Sequence, residues 1–379
     1  MAEASGNEAI ARYSDDDRVV LTLDAGGTTL VFSAVRGERQ VVEPVVLPSH
    51  ATQLEALLQR ITRGFREVLD RLDAAPVAIS FAFPGPADFR HGVIGDLENL
   101  PVFRGGVALG PMLEDEFGVP VLINNDGDLF AYGEAIAGLL PGVNALLERA
   151  GSPRRYRNLL AVTLGTGFGA GIVHDGHILT GDNSAGAEIN RLRSVLNPRW
   201  SVEENVSVRA LRRVYALEAL LDFAEAPTPK RIFEIGMGER DGEREAARRA
   251  FEELAVAAGD AIADASSLVD GLVVIGGGLA HGWPLFLPRL VEEMNVPFTT
   301  PSGREVQRFE SLAYSLEDPG QLEAFLKGEV REVVVPFSSR TVTYDSSKAI
   351  GVGVTRLGTA NAVAVGAYTL ALQRLDGIG

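Results

Sequence analysis

Residues 18–35 read RVVLTLDAGGTTLVFSAV, and residues 158–179 read NLLAVTLGTGFGAGIVHDGHIL. Each is an apolar, β-rich run, a short glycine and threonine turn, and a second β-rich run. Glycine allows such a turn at no steric cost, so both stretches predict antiparallel hairpins. Outward from the first hairpin, QVVEPVVLP at 40–48 continues the meander. Leucines and a phenylalanine at helical spacing predict a helix over 51–73. The strand PVAISFAF at 76–83 stops at Pro84-Gly85-Pro86. A helix at PMLEDEFG, 111–118, leads to the strand VPVLIN at 119–124 and a helix through 129–140.

The pattern restarts with the second hairpin. Helices are predicted over 203–223 and 243–270, a strand into a glycine turn at GLVVIGGGLA, 271–280, and a helix at 283–294. REVVVPF at 331–337 reads as a strand and 359–375 as a closing helix. Residues 226–245 and 296–330 are charged, punctuated by Pro or Gly and poorly periodic, and read as loops. A repeated strand–turn–strand unit, each followed by α/β elements, predicts duplicated α/β halves facing one another across a cleft. The predicted organisation is a disordered tail over 1–18, a smaller domain of 19–138 plus 361–379, and a larger domain of 139–360.

A chain of 379 residues exceeds what one ordinary core organises. Its formal net charge of −16 would repel phosphate backbones, which argues against a nucleic-acid partner. ATP is still allowed, because backbone amides and Mg²⁺ supply local positive potential. With no cysteine, disulfides and Cys-ligated zinc are impossible. The first residues carry no apolar leader, and no apolar run approaches the length that spans a bilayer. The expectation is a soluble cytoplasmic protein with no membrane partner.

Asp24-Ala25-Gly26-Gly27-Thr28-Thr29 joins two strands. Its glycines let the backbone approach a bulky anion, Thr28 and Thr29 offer hydroxyls, and Asp24 stands at a strand end where it could hold Mg²⁺ through water. Gly165-Thr166-Gly167 is a second such turn, and Gly276-Gly277-Gly278 a third. None is followed by the Lys-Ser/Thr of a phosphate loop. Three separated glycine turns suit a nucleotide. Asp126 follows a strand at its carboxyl end, where ligands of open α/β sheets bind. Asn125 beside it is suited either to a sugar hydroxyl or to capping a helix. Glu188, Glu203 and Glu204 follow the second hairpin, the last two opening a helix.

Taken in order, these motifs resemble the ROK family of sugar kinases and repressors, within the hexokinase–actin superfamily. The resemblance spans about residues 19–375 and rests on DAGGTT (24–29), FAFPGPAD (81–88), ENLP (98–101), NNDGDLFAYGE (124–134), TLGTGFGAGIVHDGHILTG (163–181), AGAEI (185–189), IGGGLA (275–280) and the closing alanine-rich helix. It implies two actin-like, ribonuclease H-like domains with ATP and sugar in the cleft between them. It implies that Asp24, Gly26, Gly27 and Thr28 form the first phosphate motif, with Thr29 beside it. Gly165, Thr166 and Gly167 would form the second, and Gly277 and Gly278 the adenosine motif. Asp126 would be the catalytic base, and Asn99, Asn125, Glu188 and Glu203 would bind sugar, with Glu204 one residue away from that last position. The implied reaction is ATP-dependent, Mg²⁺-assisted phosphorylation of a hexose, most simply glucose at its 6-hydroxyl. Fructose, an N-acetylhexosamine or a mannosamine derivative are the alternatives, as is a non-catalytic sugar sensor. A homodimer would be in keeping with the family.

Two departures stand out. The family's zinc motif of three cysteines and a histidine is missing, so no structural zinc is expected. Arg191 occupies the histidine's position in Ala187-Glu188-Ile189-Asn190-Arg191. About 18 residues precede the first strand, too few for the DNA-binding domain of the family's repressors.

Overall fold

The computed structural model describes residues 13–25, 28–37, 39–97 and 100–377. In chain order, the first half carries β1 (Val19–Ala25), β2 (Thr29–Arg36), β3 (Val45–Pro48), α1 (Leu54–Leu69), β4 (Pro76–Ala82), α2 (Leu109–Phe117), β5 (Val121–Asn124) and α3 (Asp126–Ile136). Then come α4 (Leu139–Arg149), β6 (Leu159–Leu164), β7 (Phe168–His174), α5 (Val208–Glu218), α6 (Pro229–Met237), α7 (Arg244–Val269), β8 (Leu272–Gly276) and α8 (Trp283–Met294). The remainder is β9 (Leu312–Ser315), α9 (Pro319–Lys327), β10 (Val330–Val334), β11 (Thr341–Asp345), β12 (Ala349–Val354) and α10 (Thr359–Leu375).

The chain divides into two compact units. One comprises Met1–Ala137, Asp175–Gly186 and Leu357–Gly379; the other comprises Gly138–His174 and Ala187–Arg356. In the first, β1 and β2 form an antiparallel hairpin, β3 adds to β2, and β4 and β5 extend the sheet in parallel beyond β1. In the second, β6 and β7 form the hairpin, and β8, β12 and β9 follow as parallel strands beyond β6. The same hairpin-then-parallel order appears in both. The parallel strands β4 and β8 are apolar almost throughout and buried, as strands covered on both faces must be.

In the first unit, α1 presents Leu57, Ile61, Phe65 and Val68 to the sheet, a helical stripe. Phe65 meets Phe32 of β2 edge-on at 5.1 Å. On α3, Gly127–Ile136 are all buried, so this helix packs on every side, and α10 lies against it. The contact is backbone on backbone. A Cβ at Gly133 would stand 1.9 Å from the Ala362 carbonyl oxygen, and one at Gly366 would stand 2.1 Å from that of Leu129. In the second unit the 26-residue, alanine-rich α7 packs on α8, and Gly259 admits the Leu290 carbonyl in the same way.

The stretch Asp126–Arg149 is long and apolar enough to cross a membrane by length and composition. It is broken into α3 and α4, and most of its most apolar part is buried inside the protein, as for a core helix.

Residues 1–12 lie outside the described residues, but packing starts before the first strand. Tyr13 is buried against Val20, Ala78, Tyr368 and Leu372, and its hydroxyl donates to Asp376 at 2.9 Å. Arg18 bonds Asp16 and Asp376 at 2.8 Å each. Over 13–18 the tail expected from sequence is therefore part of the fold. Residues expected as loops also fold: α6 lies within 226–245, capped by Thr228 with Pro229 in its first turn, and α9 lies within 296–330, capped by Asp318. The strand expected at 331–337 runs over Val330–Val334 and belongs to a separate two-stranded hairpin with β11.

Replacing Gly133 or Gly366 by alanine sets a methyl group inside a backbone carbonyl's contact distance. Each variant should lose roughly 1–3 kcal/mol of stability. Urea unfolding followed by circular dichroism measures this, and an unchanged midpoint would show that the helices do not meet through these glycines.

Candidate active site

Strand register sets the first cluster. Asp24 of β1 is level with Ala82 of β4, and Ala82 with Asn124 of β5. The Phe83 N–H donates to the Asn124 carbonyl at 2.9 Å and prolongs that row. The carboxyl ends of three strands thus present Asp24, Asn124 and the Asn125-Asp126 pair along one edge of the sheet. Asn125 caps α3: its Oδ1 accepts from the N–H of Gly127 at 2.6 Å and of Asp128 at 3.4 Å. The capping role weighed from sequence is real, and it leaves Nδ2 with no partner among the described residues. Asn124, buried, accepts from the Asn125 N–H at 2.8 Å and fixes the turn.

The Asp126 carboxylate reaches solvent, yet it sits low among surrounding protein groups. That desolvation pushes its pKa above the ordinary carboxylate value; the Gly127 N–H, at 2.9 Å, pulls the other way, and the negative charge of Asp24 adds to the rise. Asp24 is exposed and has no hydrogen-bond or ion-pair partner among the described residues. Two neighbouring carboxylates without a protein cation form a donor set that fits a hydrated divalent ion. Thr28 and Thr29 are exposed beside them. Gly26, Gly27 and Asn99 lie outside the described residues.

The second cluster is in the other unit. Leu164 pairs with Phe168, so Gly165-Thr166-Gly167 form the hairpin tip, closed by the Gly165 N–H donating to the Gly167 carbonyl at 3.0 Å. Thr163 is level with Gly276, which sets the third glycine turn beside the second. Gly277 has φ +85, and a Cβ on it would strike the Leu164 carbonyl at 2.3 Å, so packing and backbone both demand glycine there. Gly165 and Gly278 differ. Neither has a positive φ, and a Cβ on either would meet nothing within 4 Å. Gly142, on α4, shares that property. Gly165 and Gly278 therefore each leave open space where a side chain would stand.

Gly167 is filled from within the protein. Glu203, on a short 3-10 turn before α5, accepts from the Phe168 N–H through Oε2 at 3.1 Å, and that oxygen is 2.6 Å from where a Gly167 Cβ would stand. Glu204 turns elsewhere, pairing with Arg209 at 2.7 Å. The Val208 N–H, next to the Ser207 cap of α5, donates to the Gly165 carbonyl at 2.8 Å. Glu188 is exposed, as is Arg191, which has no side-chain partner among the described residues. Between them and Glu203, the loop is drawn in by hydrogen bonds. Buried Ser194 donates from Oγ to Asn205 Oδ1 at 2.8 Å, and the Val202 N–H donates to the Leu192 carbonyl at 2.8 Å. Ala187 holds a left-handed φ of 59°. The bond between Glu203 and Phe168 joins residues 35 apart, and no local pattern announces it.

The ROK family model matches residues 20–301. The chain belongs to the ROK family. A crystal structure of the Parabacteroides distasonis glucokinase is similar to this ROK protein at 53% identity and a TM-score of 0.89, covering 95% of this chain and 99% of that one. The Thermotoga maritima glucokinase is 28% identical over 332 residues, 80% of this chain and 95% of its own. The Photobacterium profundum N-acetyl-D-glucosamine kinase is 30% identical over 183 residues, 48% of this chain and 54% of its own. A Streptomyces griseus ROK glucokinase, solved with glucose and AMPPNP, shares the fold at 20% identity and a TM-score of 0.59. The fold is thus that of ROK sugar kinases.

The raised pKa of Asp126 has a thermodynamic consequence. Its ionised form is penalised in the folded state, so the metal-free protein loses stability as pH rises from the ordinary carboxylate pKa through the folded one. Asp126→Asn should therefore unfold at a higher midpoint than wild type at pH 7, and the gap should close toward pH 3.5. Thermal melts across that range test the sign; a variant less stable at pH 7 would contradict it.

Proposed function

We propose that this ROK sugar kinase transfers the γ-phosphoryl group of ATP to the 6-hydroxyl of glucose. The observation that carries the reading is the strand-end row that sets Asp126, its pKa raised, beside unpaired Asp24. ATP supplies an activated phosphoryl group, and Mg²⁺ neutralises its developing charge. Asp24 would hold that ion through water. Asp126 would accept the hydroxyl proton as the sugar oxygen forms its bond to phosphorus and ADP leaves with the electron pair of the broken bond. Its raised pKa makes it a better proton acceptor than an ordinary carboxylate. Asn125 Nδ2 would hold the sugar, with Asn99, Glu188 and Glu203 as its further contacts. Thr28, Thr29 and the glycines at 26 and 27 would take one set of phosphates, Gly165, Thr166 and Gly167 the others, and Gly277 and Gly278 the adenosine. Positioning and charge stabilisation supply most of the rate.

Glucose leads because the relatives that match along most of this chain are named glucokinases. N-acetylglucosamine is the second reading, favoured by the shorter match to a kinase for that sugar.

ADP release from Mg-ATP across glucose, fructose, mannose, glucosamine, N-acetylglucosamine and N-acetylmannosamine tests substrate and residue together. Glucose should give the highest kcat/KM. Asp126→Asn should lower kcat by a factor of about 10² or more with KM little changed. Undiminished turnover in that variant would remove Asp126 from the mechanism, and a preference for N-acetylglucosamine would replace glucose.

A further inference from the structure

The hairpin Leu164–Phe168 offers backbone N–H groups for a phosphate, but one of them is already engaged. The Phe168 N–H donates to Glu203 Oε2 at 3.1 Å, and the absence of a side chain at Gly167 is what lets that carboxylate come so close. A carboxylate is an unusual thing to fold against a phosphate-binding turn. It consumes a donor and sets a negative charge within a few ångströms of where the phosphates would lie. The fold holds it there firmly. Glu203 rides on the turn Val202–Glu204, which is anchored by the buried Ser194–Asn205 hydrogen bond on one side. On the other side, the Val208 N–H to Gly165 carbonyl bond ties α5 to the same hairpin. No arginine pairs with Glu203 among the described residues, whereas Glu204 beside it has Arg209.

We propose that Glu203 guards the phosphate turn. Unliganded, its carboxylate occupies the Phe168 N–H and repels the nucleotide's phosphates. A sugar hydroxyl, donating to the same carboxylate, draws it off the turn and frees the N–H for a phosphate oxygen. Nucleotide binding is thereby coupled to sugar binding through one side chain, and ATP is held loosely until an acceptor is present. Both halves rest on the proposed function, in which Glu203 contacts the sugar and the Gly165–Gly167 turn takes phosphates.

The test is the affinity for Mg-AMPPNP, measured calorimetrically with and without saturating glucose. Wild type should bind the nucleotide about tenfold more tightly with glucose, the order expected from freeing one N–H to donate to a charged phosphate oxygen. Glu203→Gln, which keeps the shape and an acceptor oxygen, should bind Mg-AMPPNP about tenfold more tightly than wild type without sugar, and glucose should then change little. Glu203→Ala should also bind more tightly without sugar, whereas a mere brace for the hairpin would show weaker binding in Ala, rescued in Gln. Glu204→Gln should behave as wild type. Nucleotide affinity in Glu203→Gln equal to or weaker than wild type would overturn the guard. If that affinity rises but glucose has no influence in wild type and no hexose is phosphorylated, the guard stands and the coupling falls with the sugar part of the proposed function.

Discussion

The strand ladder that sets Asp24, Ala82 and Asn124 level is the constraint on which the rest of the first unit depends. The two carboxylates come from residues about a hundred positions apart, and only parallel pairing of β1, β4 and β5 brings their ends to one edge. Ligand sites of open sheets form at such edges because the side chains there are held by buried strands yet reach solvent. The row is maintained from behind. Helix α3 starts at Asp126, is buried on nearly every side, and is gripped by α10 through glycines that allow backbone contact. A helix so confined cannot drift, and neither can the carboxylate at its first turn. Stability and site geometry therefore have the same source, while the penalty on the charged Asp126 is carried by the rest of the fold.

The second unit repeats the device with different chemistry. A hairpin and a parallel neighbour again place turns side by side, but these expose backbone rather than carboxylates. The glycines there are not equivalent. Gly277 is required by its own backbone and by Leu164, Gly167 makes room for Glu203, and no packing contact explains the missing side chains of Gly165 and Gly278. That last pair is where the proposed nucleotide would account for what packing does not.

Much of this was legible in the sequence. Apolar runs broken by glycine announced both hairpins, and the closing helix was read at Thr359–Leu375, where it lies. The row of Asp126 and its asparagines could be placed at a strand end because VPVLIN stops so abruptly. What escaped was set by contacts between distant residues. Tyr13 sits in a polar, acidic stretch, and only its partners Tyr368 and Asp376 near the far end make it core. β12, AIGVGV, is paired on both sides, by β8 and β9, yet is too rich in glycine to read as a strand. Its glycines are explained once Leu316 is seen against Gly351 and Leu139 against Gly353. α6 and α9 carried ordinary cap signals that their charged surroundings obscured. Glu203 was read as facing a sugar, with Glu204 its near equivalent; the structure separates them, one against the hairpin and the other among arginines.

The central claim is that this ROK-family chain moves phosphorus from ATP to a primary hydroxyl of glucose. Phosphorus NMR of a completed reaction reads the new bond directly. The account predicts an ester signal split into a triplet by the two protons on carbon 6. A doublet, from an ester at the anomeric or another ring carbon, would contradict the regiochemistry, and orthophosphate alone would contradict transfer to the sugar.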